Sequence, residues 1–176
     1  PMQTYSFVES YLREPEQVRE KTTPRVSATP RREAERRWIA SPPGLVKFNV
    51  DGAVARRSHG GAVAAVCRDH TGLYLGSSAV VYNGVYDPTI LETYACREAL
   101  ALASDLQVSH MIIASDCQGV VNDINQGTGG PHSAIIQEIL GCRNLFTFVS
   151  FVHERRNFNF EAHNLAKLAC NLQSGR

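Results

Sequence analysis

Residues 47–53 read Lys-Phe-Asn-Val-Asp-Gly-Ala. Val46, Phe48 and Val50 alternate with Lys47 and Asn49, which is the period of two that marks a strand. The strand runs into Asp51-Gly52, a pair that alone more often makes a turn than a binding site. Outward from it, Gly60-Gly61 opens a second strand-like run, AVAAVCRD. The turn cluster DHTG at 69–72 then leads into a third, LYLGSSAVVY. Three strands joined in this way form an antiparallel meander.

The pattern then changes. DPTILETYACREALALASDL places Leu91, Ala95, Ala99 and Leu102 on one helical stripe. Asp87-Pro88 or Thr89 caps its start, and Glu92 stands three residues after Thr89, the spacing of a capping box. VSHMIIASD is a nearly continuous apolar run, as expected of a buried parallel strand ending at Asp116. A short helix (CQGVVNDINQ) stops at Gly127, and a second helix carries Ile135, Ile136, Ile139 and Leu140. FTFVSFVHER alternates as a strand, and NFEAHNLAKLACNL is a last helix with Ala162, Leu165, Ala166 and Ala169 inward. The order is β-β-β-α-β-α-α-β-α. This predicts an α/β fold with a mixed five-stranded sheet and helices on both faces.

The chain of 176 residues holds one domain with a sizeable core plus an extension. Its net charge of +1 carries no global nucleic-acid signature. Residues 1–37 read as an N-terminal extension: a short amphipathic helix, then a linker rich in proline and small polar residues. Arg31-Arg32 and Arg36-Arg37 read either as a nuclear-import or phosphate-contacting patch, or as a solvated helix with Glu33 and Glu35 interleaved. The helix is also a candidate surface for a protein partner or self-association. The domain starts near Trp38, and residues 38–176 form it. Five scattered cysteines without a C-x-x-C pair argue against zinc and for thiols in a reducing, intracellular compartment, nucleus or cytoplasm. No apolar run is long enough to span a membrane. The Pro1-Met2 start reads as a piece of something longer.

The chemistry lies in a conjunction. In a mixed sheet the first strand is usually central, and the strand after the first helix lies parallel beside it. Asp51 and Asp116 then become neighbours at strand ends, where α/β sites form. Glu92 approaches the same edge from the start of its helix. Three carboxylates so placed repel one another unless a cation offsets the cost. Oxygen ligands of this kind suit Mg²⁺, and two such ions clamp the oxygens of an in-line phosphodiester displacement.

KFNVDGA, the GGAVAAVCRDHTG hairpin, LETYACREALALA, IIASDCQGVV and RNFNFEAHNLAKLA together resemble the ribonuclease H fold. The resemblance is to the plant ribonuclease H-like domain found alone and in retrotransposon-related proteins, and covers roughly residues 38–172. It implies a metal-dependent endoribonuclease that hydrolyses the RNA strand of RNA–DNA hybrids. It also implies a two-metal site for Mg²⁺ or Mn²⁺, with Asp51 shared, Glu92 and Asp116 completing one site, and the last position of the R-x-x-N-x-x-A-D segment completing the other. Arg156, Asn159 and Ala162 fit that segment, but His163 stands where the carboxylate is expected. The substrate contacts it implies fall on Gly52, Arg156 and Asn159, with His153 assisting product release. Gly60 and Gly61 either approach the hybrid's groove or simply fit a tightly packed strand.

His163 is a neutral, softer ligand and turns the expected preference towards Mn²⁺. The family's basic protrusion is missing between Asp116 and Phe146, where Arg143 is the sole Lys or Arg. Two readings stay open: a working nuclease, or a catalytically impaired binding or interaction module on the same fold.

Overall fold

The strand around Asp51, β1 (Val46–Val54), is the middle of a five-stranded sheet. The computed structural model describes residues 38–55, 60–128 and 130–172, with Leu172 as backbone alone. The expected N-terminal helix and arginine pairs lie outside the described residues. After β1 come β2 (Gly60–Arg68), β3 (Tyr74–Asn83), α1 (Pro88–Asp105), β4 (His110–Ser115), α2 (Gln118–Gln126), α3 (Ser133–Arg143), β5 (Phe148–His153) and α4 (Phe160–Leu172). Single 3-10 turns, Gly130–His132 and Arg156–Phe158, precede α3 and α4. No helix of the described residues is long and apolar enough to cross a membrane.

The strand order is β3-β2-β1-β4-β5. β1 pairs antiparallel with β2, with Asp51 opposite Ala64, and parallel with β4 as far as Val50 opposite Ser115. β5 extends the sheet parallel to β4 and sets His153 opposite Ser115. The β1–β4 ladder therefore ends one residue before Asp51 on one strand and Asp116 on the other. Both acids stand where the two chains part.

Each face of β1 is covered. Phe48 and Val50 enter the core with Val63, Ala65 and Cys67 of β2 and with Leu91, Ala95, Ala99 and Leu102 of α1. The opposite face meets α4, whose Ala162, Leu165, Ala166 and Ala169 are buried. Small residues of β1 and β2 (Ala53, Ala62, Ala64) admit it. The Cys170 thiol donates to the Ala53 carbonyl at 3.2 Å, and Arg68 donates two bonds to Glu161 at 2.9 and 2.7 Å. On this same face Lys47 and Asn49 are buried against Glu154, with Trp38 and Ile39 beside Lys47 and Asn159 beside Asn49.

Of the expected caps of α1, Asp87 is the one used, and Thr89 and Glu92 form no capping box. Asp87 accepts from the Thr89 and Ile90 N–H groups at 2.8 and 3.2 Å. Glu92 is left free to face β4. α1 also approaches β1 at backbone distance. A Cβ on Gly52 would lie 2.8 Å from the Leu91 carbonyl carbon and 2.9 Å from the Glu92 nitrogen. Gly61 is equally closed in, by a Leu91 methyl at 2.3 Å and the Ala53 carbonyl at 2.7 Å from its would-be Cβ. Gly60 and Gly61 are buried. Both therefore fit a tightly packed strand, where a side chain would clash.

Gly52→Ala should therefore push α1 off β1. Urea unfolding should show a loss of about 1–3 kcal/mol, the usual cost of overpacking. An unchanged midpoint would mean that the backbones are not in this contact.

Candidate metal centre

Asp51, Glu92 and Asp116 each offer a carboxylate oxygen, and these oxygens all lie within 4.8 Å of one another. Among the described residues no other set of His, Cys, Asp or Glu comes as close. β1 supplies Asp51, the first turns of α1 supply Glu92, and the end of β4 supplies Asp116. Asp51 is 2% exposed and Glu92 9%, so the cluster is largely removed from water. The Asp116 side chain is 11% exposed and opens the site on one side.

Glu92 is oriented by two donors. The Ser115 hydroxyl donates to Oε2 at 3.3 Å, and the Gly52 N–H also bonds to the carboxylate. Ser115 in turn accepts from the Cys117 N–H at 3.1 Å. Asp116 does not cap α2, whose N-cap is Cys117.

His163 Nδ1 lies 3.0 Å from Asp51 Oδ2. The imidazole touches Asp51 without joining the mutual carboxylate set. Asp51 is thus within reach of both Glu92 and Asp116 and in contact with His163. Arg156 is 65% exposed, with Nε 3.9 Å from Asp116 Oδ2 and Nη2 3.0 Å from His163 Nε2. Its guanidinium hangs at the mouth of the site.

The electrostatics follow from burial and like charge. Burial, then the charges of Glu92 and Asp116, push Asp51 from an ordinary 3.8 to about 8. Burial, then Asp116, push Glu92 from 4.5 to about 7. Three acids arranged in this way resist ionising together. A divalent cation removes that resistance, and a set of hard oxygens with one imidazole fits Mg²⁺ or Mn²⁺.

The remaining expected residues divide. Arg156 stands at the cluster, and His153 is exposed at the same sheet edge. Gly52 faces α1 and serves Glu92 through its N–H. Asn159 is fully buried with its carboxamide bonded inward, so the expected substrate contact is corrected to an internal one. Ser115, Asn49, Lys47 and Glu154 were not singled out from the sequence. The signal for Lys47 and Asn49 is their place on a central strand, where polar side chains must find internal partners.

A family model described as reverse transcriptase-like matches residues 49–169. The chain belongs to that family. Its fold is that of ribonuclease H, as solved structures show. The RNase H1 of the halophilic archaeon Halobacterium salinarum superposes with a TM-score of 0.66 at 23% identity, covering 73% of this chain and 98% of that one. LC11-RNase H1, isolated from compost and solved with an RNA/DNA hybrid, gives 0.64 at 19%, covering 74% and 99%. The foamy-virus (PFV) RNase H domain gives 0.59 at 15%, covering 73% and 97%. No curated protein sequence matches the chain significantly.

The ribonuclease H-like domain should carry a pH signature when metal-free. Asp51 and Glu92 are held above their ordinary values, so between those values and about 8 and 7 the folded state keeps protons that the unfolded chain releases. Their contribution to stability is complete at low pH and is lost as pH rises through that window. Compared with the parent in chelator, Asp51→Asn should gain stability as pH rises from about 4 to about 8. A stability difference that stays flat across that range would show that the acids are not crowded.

Proposed function

We propose that this domain is a metal-dependent endonuclease that hydrolyses the RNA strand of RNA–DNA hybrids. The observation that carries the reading is the mutual 4.8 Å approach of Asp51, Glu92 and Asp116 at the end of the β1–β4 ladder. Such a cluster costs stability in the metal-free protein, and a purely structural domain gains nothing from it. LC11-RNase H1, solved with an RNA/DNA hybrid, lends support by its fold.

The residues take the following roles. Asp51 would be the shared ligand, with Glu92 and Asp116 holding one metal and His163 the other. Divalent ions held by these residues would supply activation of the attacking water and neutralisation of the leaving oxygen. Ser115 and the Gly52 N–H hold Glu92 in place. Arg156 is exposed beside the cluster and binds a substrate phosphate there as a charge-assisted donor. His153, exposed at the end of β5, is placed to assist departure of the product strand. Five free cysteines fit an intracellular setting, nucleus or cytoplasm.

One observation favours a second reading, a catalytically impaired module that binds nucleic acid. Asp51 already has His163 at 3.0 Å and Asp116 has Arg156 at 3.9 Å, so part of the acidic charge is answered from within the chain.

Cleavage of an end-labelled RNA–DNA hybrid separates the two. The nuclease reading predicts cutting of the RNA strand, faster with Mn²⁺ than with Mg²⁺, and abolished by Asp51→Asn. His163→Asp should shift the preference back towards Mg²⁺, because a carboxylate is the harder ligand. An intact hybrid with either metal, bound by a folded protein, would leave the binding module as the correct account.

A further inference from the structure

Beneath the metal centre lies a polar network that the proposed reaction does not use. Lys47 is 4% exposed, Asn49 3%, Glu154 9% and Asn159 0%. The Lys47 ammonium donates to Glu154 Oε1 and, at 2.8 Å, to the Ile39 carbonyl. Asn49 Nδ2 donates to Glu154 Oε2 at 2.7 Å and to Asn159 Oδ1 at 3.0 Å. Trp38 Nε1 donates to Asn49 Oδ1 at 3.2 Å. Asn159 Nδ2 donates to the Val50 carbonyl at 2.7 Å.

This network is a costly way to fill space. Two charges leave water, and burial lowers the Lys47 pKa even against the pull of Glu154. Apolar residues of the same volume often fill such a site with equal or better stability. What they lack is direction. Here each bond aims the next group, and the last group reaches both halves of the Asp51–His163 contact. The Asn159 carboxamide holds the carbonyl of Val50, the residue before Asp51. The Asn159 main-chain carbonyl accepts the His163 N–H at 3.2 Å and starts α4. One residue therefore sets the strand that carries Asp51 and the helix turn that carries His163. Glu154 ties the same network to β4, since its N–H bonds the Ser115 carbonyl at 2.9 Å, one residue before Asp116.

We propose that Asn159 is a positioning residue that sets His163 against Asp51, and that the buried Lys47–Glu154 pair, through Asn49, holds the Asn159 carboxamide in the required orientation. The inference rests on the metal-dependent reading above and extends it to four residues that touch neither metal nor substrate.

The test measures Mn²⁺ affinity of the full chain by the electron paramagnetic resonance of free Mn²⁺, alongside kcat and KM for hybrid cleavage. Asn159→Ala should weaken Mn²⁺ binding about 10- to 100-fold, the usual effect of losing a group that orients a ligand. It should lower kcat and leave KM for the hybrid unchanged. The double variant Lys47→Met/Glu154→Leu keeps net charge and fills the space, and should weaken Mn²⁺ in the same direction. Ile136→Ala, in the core of α3, should lower stability and leave Mn²⁺ affinity at the parent value. A folded Asn159→Ala with parent affinity overturns the proposal. If Asn159→Ala fails to fold, the double variant decides on the same readout, and parent affinity there also overturns it. An Ile136→Ala variant that weakens Mn²⁺ as much would reduce the effect to lost stability and overturn it too. A parent that binds Mn²⁺ but leaves the hybrid intact sinks the nuclease reading alone, with the ordering of affinities still supporting Asn159. A parent that binds no Mn²⁺ sinks both.

Discussion

Repulsion among three carboxylates is the constraint around which this domain is arranged. Asp51, Glu92 and Asp116 share a space of 4.8 Å in a largely dry corner. Left alone, such a corner would relax by moving the acids apart or protonating them. The first escape is blocked because each acid sits on a different rigid element. β1 is hydrogen-bonded on both sides, α1 lies at backbone distance over Gly52, and β4 is held between β1 and β5. The second escape is visible in the raised values of Asp51 and Glu92. The scaffold thus stores a demand for positive charge at one place.

That demand explains features that otherwise look unrelated. Gly52 is needed because a side chain there would move Glu92 away. The alanines of β1, β2 and α4 let α4 come close enough for His163 to meet Asp51. Arg156 lies at the mouth of the cluster, where its charge lowers the cost of the acids and remains accessible to a phosphate. The Lys47–Glu154 pair is buried as well. Its bonds run through Asn49 and Asn159 to the same corner.

Much of this was legible in the sequence, for physical reasons. Period-two alternation marked β1, and the apolar run ending at Asp116 marked a strand buried on both sides. Their expected adjacency places Asp51 beside Asp116, as the parallel register shows. The stripe of Leu91, Ala95, Ala99 and Leu102 gave α1 its buried face. Other features were hidden because they depend on tertiary contact. Alternation alone does not show what Lys47 and Asn49 face, and only their bonds to Glu154 and Asn159, over a hundred residues later, reveal them as buried. Glu92 fits the spacing of a capping box, and only the Asp87 cap and the nearby Ser115 show that it serves the site. Asn159 belongs to the segment that carries His163, yet it faces inward, because its amide closes the junction between β1 and α4.

The measurement that tests the central claim most directly is anomalous scattering from crystals soaked in Mn²⁺. The account predicts two peaks about 4 Å apart, the spacing of two-metal sites. Both should touch Asp51, one with Glu92 and Asp116 and the other with His163, with the Arg156 guanidinium displaced. Crystals that show no peak at these residues, with Arg156 still at Asp116, would contradict it. The acidic corner would then be a charge cluster satisfied by the chain itself.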